Sequence, residues 1–170
     1  ATPDCPVFAG RVVRGLTNGV SPDWLSARLQ AIGQRPINTL VDITNYISFD
    51  RGRPLHVYDV TTLSGVVTAR AGQAGEKFTA LDDESYEIDE NDCVIADDKS
   101  VLGFGGVMGG VASGASTTTT EVLVESAWFE PIAIANTGSR HGIDSDARYR
   151  FERGVDPQTV LSGLDQAVQM

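Results

Sequence analysis

Three residues stand out for the chemistry they can carry: His56, His141 and Glu125. The two histidines are the only ones in the chain, and imidazole is the side chain whose ordinary titration falls near neutrality, suited to moving or orienting protons. Glu125 interrupts the apolar run "VLVESAWF"; a carboxylate there either reaches solvent by strand alternation or is held inside at a desolvation cost. A nucleophile built from Ser126 or Ser145 with His56 and Glu125 lacks the G-x-S-x-G elbow that would support it. His56 and His141, 85 positions apart, offer no metal-ligand spacing. Cys5 and Cys93 stand 88 apart, with no histidine or second cysteine near either. They fit neither a zinc cluster nor a disulfide framework, so no metal is expected and both thiols are expected to be reduced.

Two stretches have the composition of binding loops. "GFGGVMGG" has Met108 where a dinucleotide fingerprint needs glycine, and no Gly-Lys-Ser/Thr phosphate loop occurs. Its glycines imply either a sharp turn or backbone passing close to something, with Gly109 the position where amides would meet a ligand. "RHGIDSDARYRFERGVDP", residues 140 to 157, gathers four arginines and His141 in a chain of net charge −10. Any contact with nucleic acid must therefore be local. The same arginines could equally serve as structural forks to Asp144, Asp146, Glu152 and Asp156. Nine acids between 82 and 98 read as a solvated face.

The elements that must position these residues follow from punctuation and periodicity. "FAGRVVRGL" reads as a strand, and "SPDWLSARLQAIG" as a helix capped by Ser21 and ended by Gly33. Asn38 caps a second helix that buries Leu40, Ile43 and Ile47 and stops at Gly52 and Pro54. That leaves His56 on an irregular segment. From Val66 to Phe129 the pattern is β, with an Asp-Asp turn at 82 and 83, and the end of the chain is helical again. Helices, then strands, then helices imply an α+β fold, a β-rich, sandwich-like core of mostly antiparallel strands flanked by helices at both ends. At 170 residues and 41% hydrophobic content the chain is expected to be one domain, 1–170. With no run of eighteen apolar residues it is expected to be soluble, cytoplasmic and free of membrane contact. The start at Ala1 and the stop at Met170 inside a helical pattern lead us to expect a piece of a longer protein.

Taken together, "RPINTLVDITNYISFDRGRPLHVYD", "GFGGVMGGVASG", "VLVESAWF" and "RHGIDSDARYRFERGVDP" resemble the editing region of the beta subunit of bacterial phenylalanyl-tRNA synthetase, in order from about Val12 to Asp156. The resemblance implies a metal-independent ester hydrolase that removes tyrosine wrongly joined to phenylalanine tRNA. It implies that Glu125 accepts the phenolic proton of tyrosine, that Ala147 leaves room for the ring, that Gly109 brings backbone to the substrate, and that Arg35 binds the nucleotide end. His56 would position or polarise the attacking water. Ser145 stands where family members often carry threonine. The implied partners are the 3′ end of phenylalanine tRNA, the tyrosine moiety and the synthetase alpha subunit of an α2β2 heterotetramer. No cofactor belongs to this region; ATP and Mg2+ belong to the parent enzyme. A non-catalytic scaffold that guides tRNA or assembles the heterotetramer is the alternative.

Overall fold

The computed structural model describes residues 2–170. Its elements are, in chain order, strand β1 (Val7–Arg14), helices α1 (Asp23–Ala31) and α2 (Thr39–Arg51), and strands β2 (His56–Asp59), β3 (Thr68–Ala71), β4 (Lys77–Thr79), β5 (Ser85–Glu87), β6 (Cys93–Ala96), β7 (Val101–Phe104), β8 (Met108–Gly109) and β9 (Glu121–Trp128). Helices α3 (Pro131–His141), α4 (Asp146–Phe151) and α5 (Val160–Gln169) close the chain. The strands form three antiparallel sheets, ordered β1-β9-β2, β3-β6-β7-β8 and β4-β5. This is the α+β arrangement, with helices toward both ends of the chain and the strands between.

Strand β9 is the hinge of the architecture because it is central in its sheet and works on both faces. Alternation sends Val122 and Val124 to one side, where with Val57 they pack against Leu164 of α5. Leu123 and Ala127 point to the other, joining Tyr58, Val94, Ile95, Leu102 and Phe104 in a core shared with the second sheet. Glu125 has the parity of this second set and so faces inward between the sheets.

Two local readings are corrected. Ser21 does not cap α1, whose N-terminal flank is Pro22 with no side-chain cap; Ser21 is buried and donates to Asp42 Oδ2 at 2.5 Å. Asp42 also accepts from the Ile37 amide at 2.9 Å, so the serine is drawn into a buried carboxylate's shell instead. His56 does not sit on an irregular segment but begins β2, because the chain leaving α2 pairs at once with β9. Elsewhere the punctuation holds: Asn38 accepts from the Val41 amide at 3.0 Å, Gly52 is left-handed at φ 63°, and Asp83 takes φ 65° in the Asp-Asp turn.

Candidate functional site

His56 and Glu125 are register partners across β2 and β9, so their side chains project from the same face of the sheet. Tyr58, two residues along β2, shares that face and reaches diagonally to donate its hydroxyl hydrogen bond to Glu125 Oε2. The rings of His56 and Tyr58 meet edge to face with centroids 4.6 Å apart. These groups form one wall of a cavity of about 270 Å3. Opposite them stand Phe104, Met108 and Gly109 from the second sheet and Val107 from the turn between β7 and β8, with Ala147 and Phe151 of α4 closing the side. The space is at the small end of ligand cavities, suited to one aromatic side chain more than to a nucleotide.

Burial decides the charge of the two central groups. It pushes the Glu125 carboxyl up from 4.5 to about 7, against the opposing pull of the Tyr58 hydrogen bond. It pushes His56 down to about 4, so the imidazole is neutral at physiological pH. Tyr58 is raised well above the ordinary phenol range by burial and by Glu125, and remains a donor. Nε2 of His56 is buried with no hydrogen-bond partner. A buried, partnerless nitrogen beside an aromatic-sized cavity is a waiting contact for water or substrate.

Of the six residues singled out in the sequence, five converge here: His56, Gly109, Glu125, Ser145 and Ala147 all line the cavity. The reason for glycine at 109 is steric: a Cβ there would lie 2.5 Å from Cε1 of His56. Ser145 accepts from the Arg148 amide at 3.1 Å, capping α4, and donates to the Val107 carbonyl at 2.6 Å. Its hydroxyl therefore ties the helix that carries Ala147 to the turn that leads into Met108. Arg35 is elsewhere. It is exposed in the loop before α2, and that helix of 13 residues, about 20 Å long, stands between it and the segment leading to His56.

The model of the B3/4 domain family matches residues 4–170 of the chain. The chain belongs to the B3/4 domain family. Over 166 residues this B3/4 domain is 55% identical to the phenylalanine–tRNA ligase beta subunit of Nitrobacter winogradskyi and 54% identical to that of Rhodopseudomonas palustris. Those matches cover 98% of the chain and 20% and 21% of the relatives, so the B3/4 domain spans about a fifth of their length. A solved N-terminal fragment of the phenylalanyl-tRNA synthetase beta subunit from Pyrococcus horikoshii superposes with a TM-score of 0.51 over 87% of this chain and 46% of that one. At 14% identity this shows likeness of fold.

The arginine-rich stretch of the B3/4 domain is largely occupied internally. Asp92, fully buried, accepts from Thr137 at 3.1 Å, pairs with Arg140, and contacts His141 Nε2 at 2.7 Å. Arg148 bonds Glu152 at 3.0 Å and the Ile143 carbonyl at 2.5 Å. Arg150 reaches Asp146 and the Ser48 carbonyl while lying over the Phe49 ring, and Arg153 pairs with Glu152 over Tyr149. Asp146 and Glu152 are forks foreseen in the sequence. Asp92 is not: it sits inside the acidic stretch, where six of the nine acids are exposed as a solvated face would have them. Its turn role, accepting from the Asp89 amide, gives no hint of the side chains it gathers.

Sequence reasoning also missed Tyr58 and the aromatic wall of Phe104 and Phe151. Tyr58 was within reach, since period-2 spacing from His56 puts it on the same face of any strand beginning there. Phe104 and Phe151 offered no such signal, because only the packing of the second sheet and α4 onto the first brings them to the cavity.

Proposed function

We propose that this chain is the proofreading region of a phenylalanine–tRNA ligase beta subunit, hydrolysing tyrosine wrongly esterified to phenylalanine tRNA. The observation that carries the reading is a single carboxyl group, Glu125, buried in the wall of a mostly apolar, aromatic-sized cavity. A synthetic pocket shaped for phenylalanine rejects an analogue that only adds a hydroxyl by roughly 100-fold; a second pocket built to hydrogen-bond that hydroxyl can favour it by roughly 10⁴ or more. Glu125 accepts the substrate's phenolic hydrogen bond, and phenylalanine leaves the group unsatisfied.

Lining the cavity with a neutral ring whose Nε2 has no partner, His56 holds a water molecule by one hydrogen bond toward the ester carbonyl. A group pushed down to about 4 takes little part as a proton acceptor at pH 7, so its task is orientation. The water oxygen bonds to the carbonyl carbon, the bond to the ribose oxygen breaks, and the proton passes to that oxygen, giving free tyrosine and uncharged tRNA. Arg35, outside the cavity, contacts the nucleotide end. The whole enzyme supplies the alpha subunit and the ATP- and Mg2+-dependent synthetic step.

Glu125→Ala is the test. Hydrolysis of tyrosyl-tRNA should fall and its preference over phenylalanyl-tRNA should disappear; unchanged values would remove Glu125 from recognition. A companion assay of tyrosine mischarging with His56→Ala should show mischarged tRNA accumulating, whereas no rise favours a scaffold that guides tRNA without hydrolysis.

A further inference from the structure

The proofreading reading uses one oxygen of Glu125 and leaves unexplained why a second phenol, that of Tyr58, is already bonded to the same carboxyl. Tyr58 is 2% exposed and its ring is fixed between the core and the edge of His56. Its hydroxyl takes Oε2. Among the described residues Oε1 has no hydrogen-bond partner, and Glu125 lines the cavity. A carboxylate has room for several donors on its two oxygens, so binding one phenol from the protein leaves the other oxygen to receive one from a ligand.

We infer that Tyr58 is a positioning and specificity-determining residue: by donating to Oε2 it fixes the Glu125 carboxyl in one rotamer, offers Oε1 to the tyrosine hydroxyl, and favours the ionised form that accepts it. The inference rests on the proofreading reading and deepens it. A carboxyl with no internal donor at this depth would stay protonated and turn its own O–H toward the cavity, where it would discriminate less well between an added hydroxyl and none. The other titratable groups that meet Glu125 are His56 on β2 and the thiols of Cys5 and Cys93 in the core. Burial keeps His56 neutral and pushes both thiols up, Cys93 to about 12, so none of them carries charge at neutral pH. Tyr58 is thus the group left to tune the acceptor.

The experiment is the pH profile of deacylation by the complete enzyme containing this chain, with Tyr58→Phe beside the unaltered protein and the uncatalysed ester hydrolysis subtracted. Tyrosine and phenylalanine esterified to phenylalanine tRNA are the two substrates. In the unaltered enzyme, tyrosyl-tRNA hydrolysis should rise through the Glu125 midpoint near 7. In Tyr58→Phe that rise should move to higher pH, and the preference for the tyrosyl ester at pH 7 should fall on the order of tenfold or more. The lost rate should return as pH is raised, which a merely loosened core would not produce. Tyr58→Leu, which empties the ring's volume, should lose rate at every pH without moving the midpoint further than Tyr58→Phe does. An active enzyme whose Tyr58→Phe variant keeps both midpoint and preference overturns the inference and leaves the proofreading reading standing. An unaltered enzyme that hydrolyses neither ester overturns both.

Discussion

Gly109 and His56 are in such close contact that a Cβ at position 109 would stand 2.5 Å from Cε1 and 2.7 Å from Nε2 of the imidazole. The missing side chain is what gives the ring its place, and the backbone of β8 lies directly against its Cε1 and Nε2 edge. Gly109→Ala must therefore turn the imidazole or push β8 away from β7. Overpacking of this kind costs about 1 to 3 kcal/mol. The expected result is a lower thermal midpoint together with a loss of tyrosyl-tRNA hydrolysis at least as large as that of His56→Ala. A variant with full activity would show that the ring has no fixed position.

The titrations of Glu125 and His56 act on stability in opposite directions. Glu125 is raised in the fold from 4.5 to about 7, so its contribution is present below 4.5 and is lost as pH rises through 7. His56 is depressed from 6.5 to about 4, so its contribution is present above 6.5 and is lost as pH falls through 4. Across pH 4.5 to 6.5 the two nearly cancel. Glu125→Gln removes one side of the balance: it should raise stability at pH 8 by up to about 3 kcal/mol and unmask a decline on acidification below 6.5. Urea unfolding of both proteins from pH 4 to 8 reads the difference curve. Parallel curves would mean that folding leaves the titration of Glu125 unshifted.

Asp92 is the hub for Arg140, His141 and Thr137, and it has no exposed surface. Asp92→Ala leaves the Arg140 guanidinium and the His141 imidazole without their acceptor beside an apolar core, and removing one partner of a buried pair costs about 3 to 5 kcal/mol. Because His141 stacks on Phe104 with centroids 4.5 Å apart, and Phe104 lines the cavity, the variant should also weaken hydrolysis in proportion to the fraction unfolded. Melting curves and activity measured over the same temperatures check the proportionality.

Arg148 and Arg150 are held by carboxylates and carbonyls, so their replacement by alanine should lower stability and leave the salt dependence of tRNA binding unchanged. A basic residue that neutralises a phosphate contributes about one unit to the slope of log K against log salt. Arg35, exposed and outside the cavity, is the contrasting case: Arg35→Ala should reduce that slope and leave the melting temperature where it was. Filter binding across a salt series distinguishes them.

Much of this could be read from local signals. The caps at Asn38 and Gly52, the strand 121–128 and the turn at Asp83 are fixed by neighbours a few residues away, and there the sequence and the fold agree. Ser21 misled because its type suits a cap, while its actual partner, Asp42, is 21 residues distant. The site was legible as residues and not as geometry. Motif resemblance picked out His56, Gly109, Glu125, Ser145 and Ala147, but their convergence depends on the pairing of β2 with β9 and the packing of α4, both long-range. Whether Glu125 faced water or the interior was undecidable by alternation until the second sheet was seen to cover that face. The arginines gave the reverse lesson, since clustering in sequence fitted a surface field and structural forks equally, and only their partners in space show that most of them are taken up internally.

Strand β1 pairs with β9 from Val7↔Trp128 to Arg14↔Glu121, and β2 pairs with the same strand. Seen along the path of synthesis, the first two strands of the domain wait for the ninth. Chains emerge at about 5 to 20 residues per second, so His56 is out of the ribosome for seconds before its counterpart Glu125 exists. Contacts of such wide sequence separation also close slowly. The cavity is therefore among the last features to form as the chain is made, and a ribosome stalled before β9 would hold a nascent chain that carries the histidine but has neither the strand that places it nor the cavity beside it.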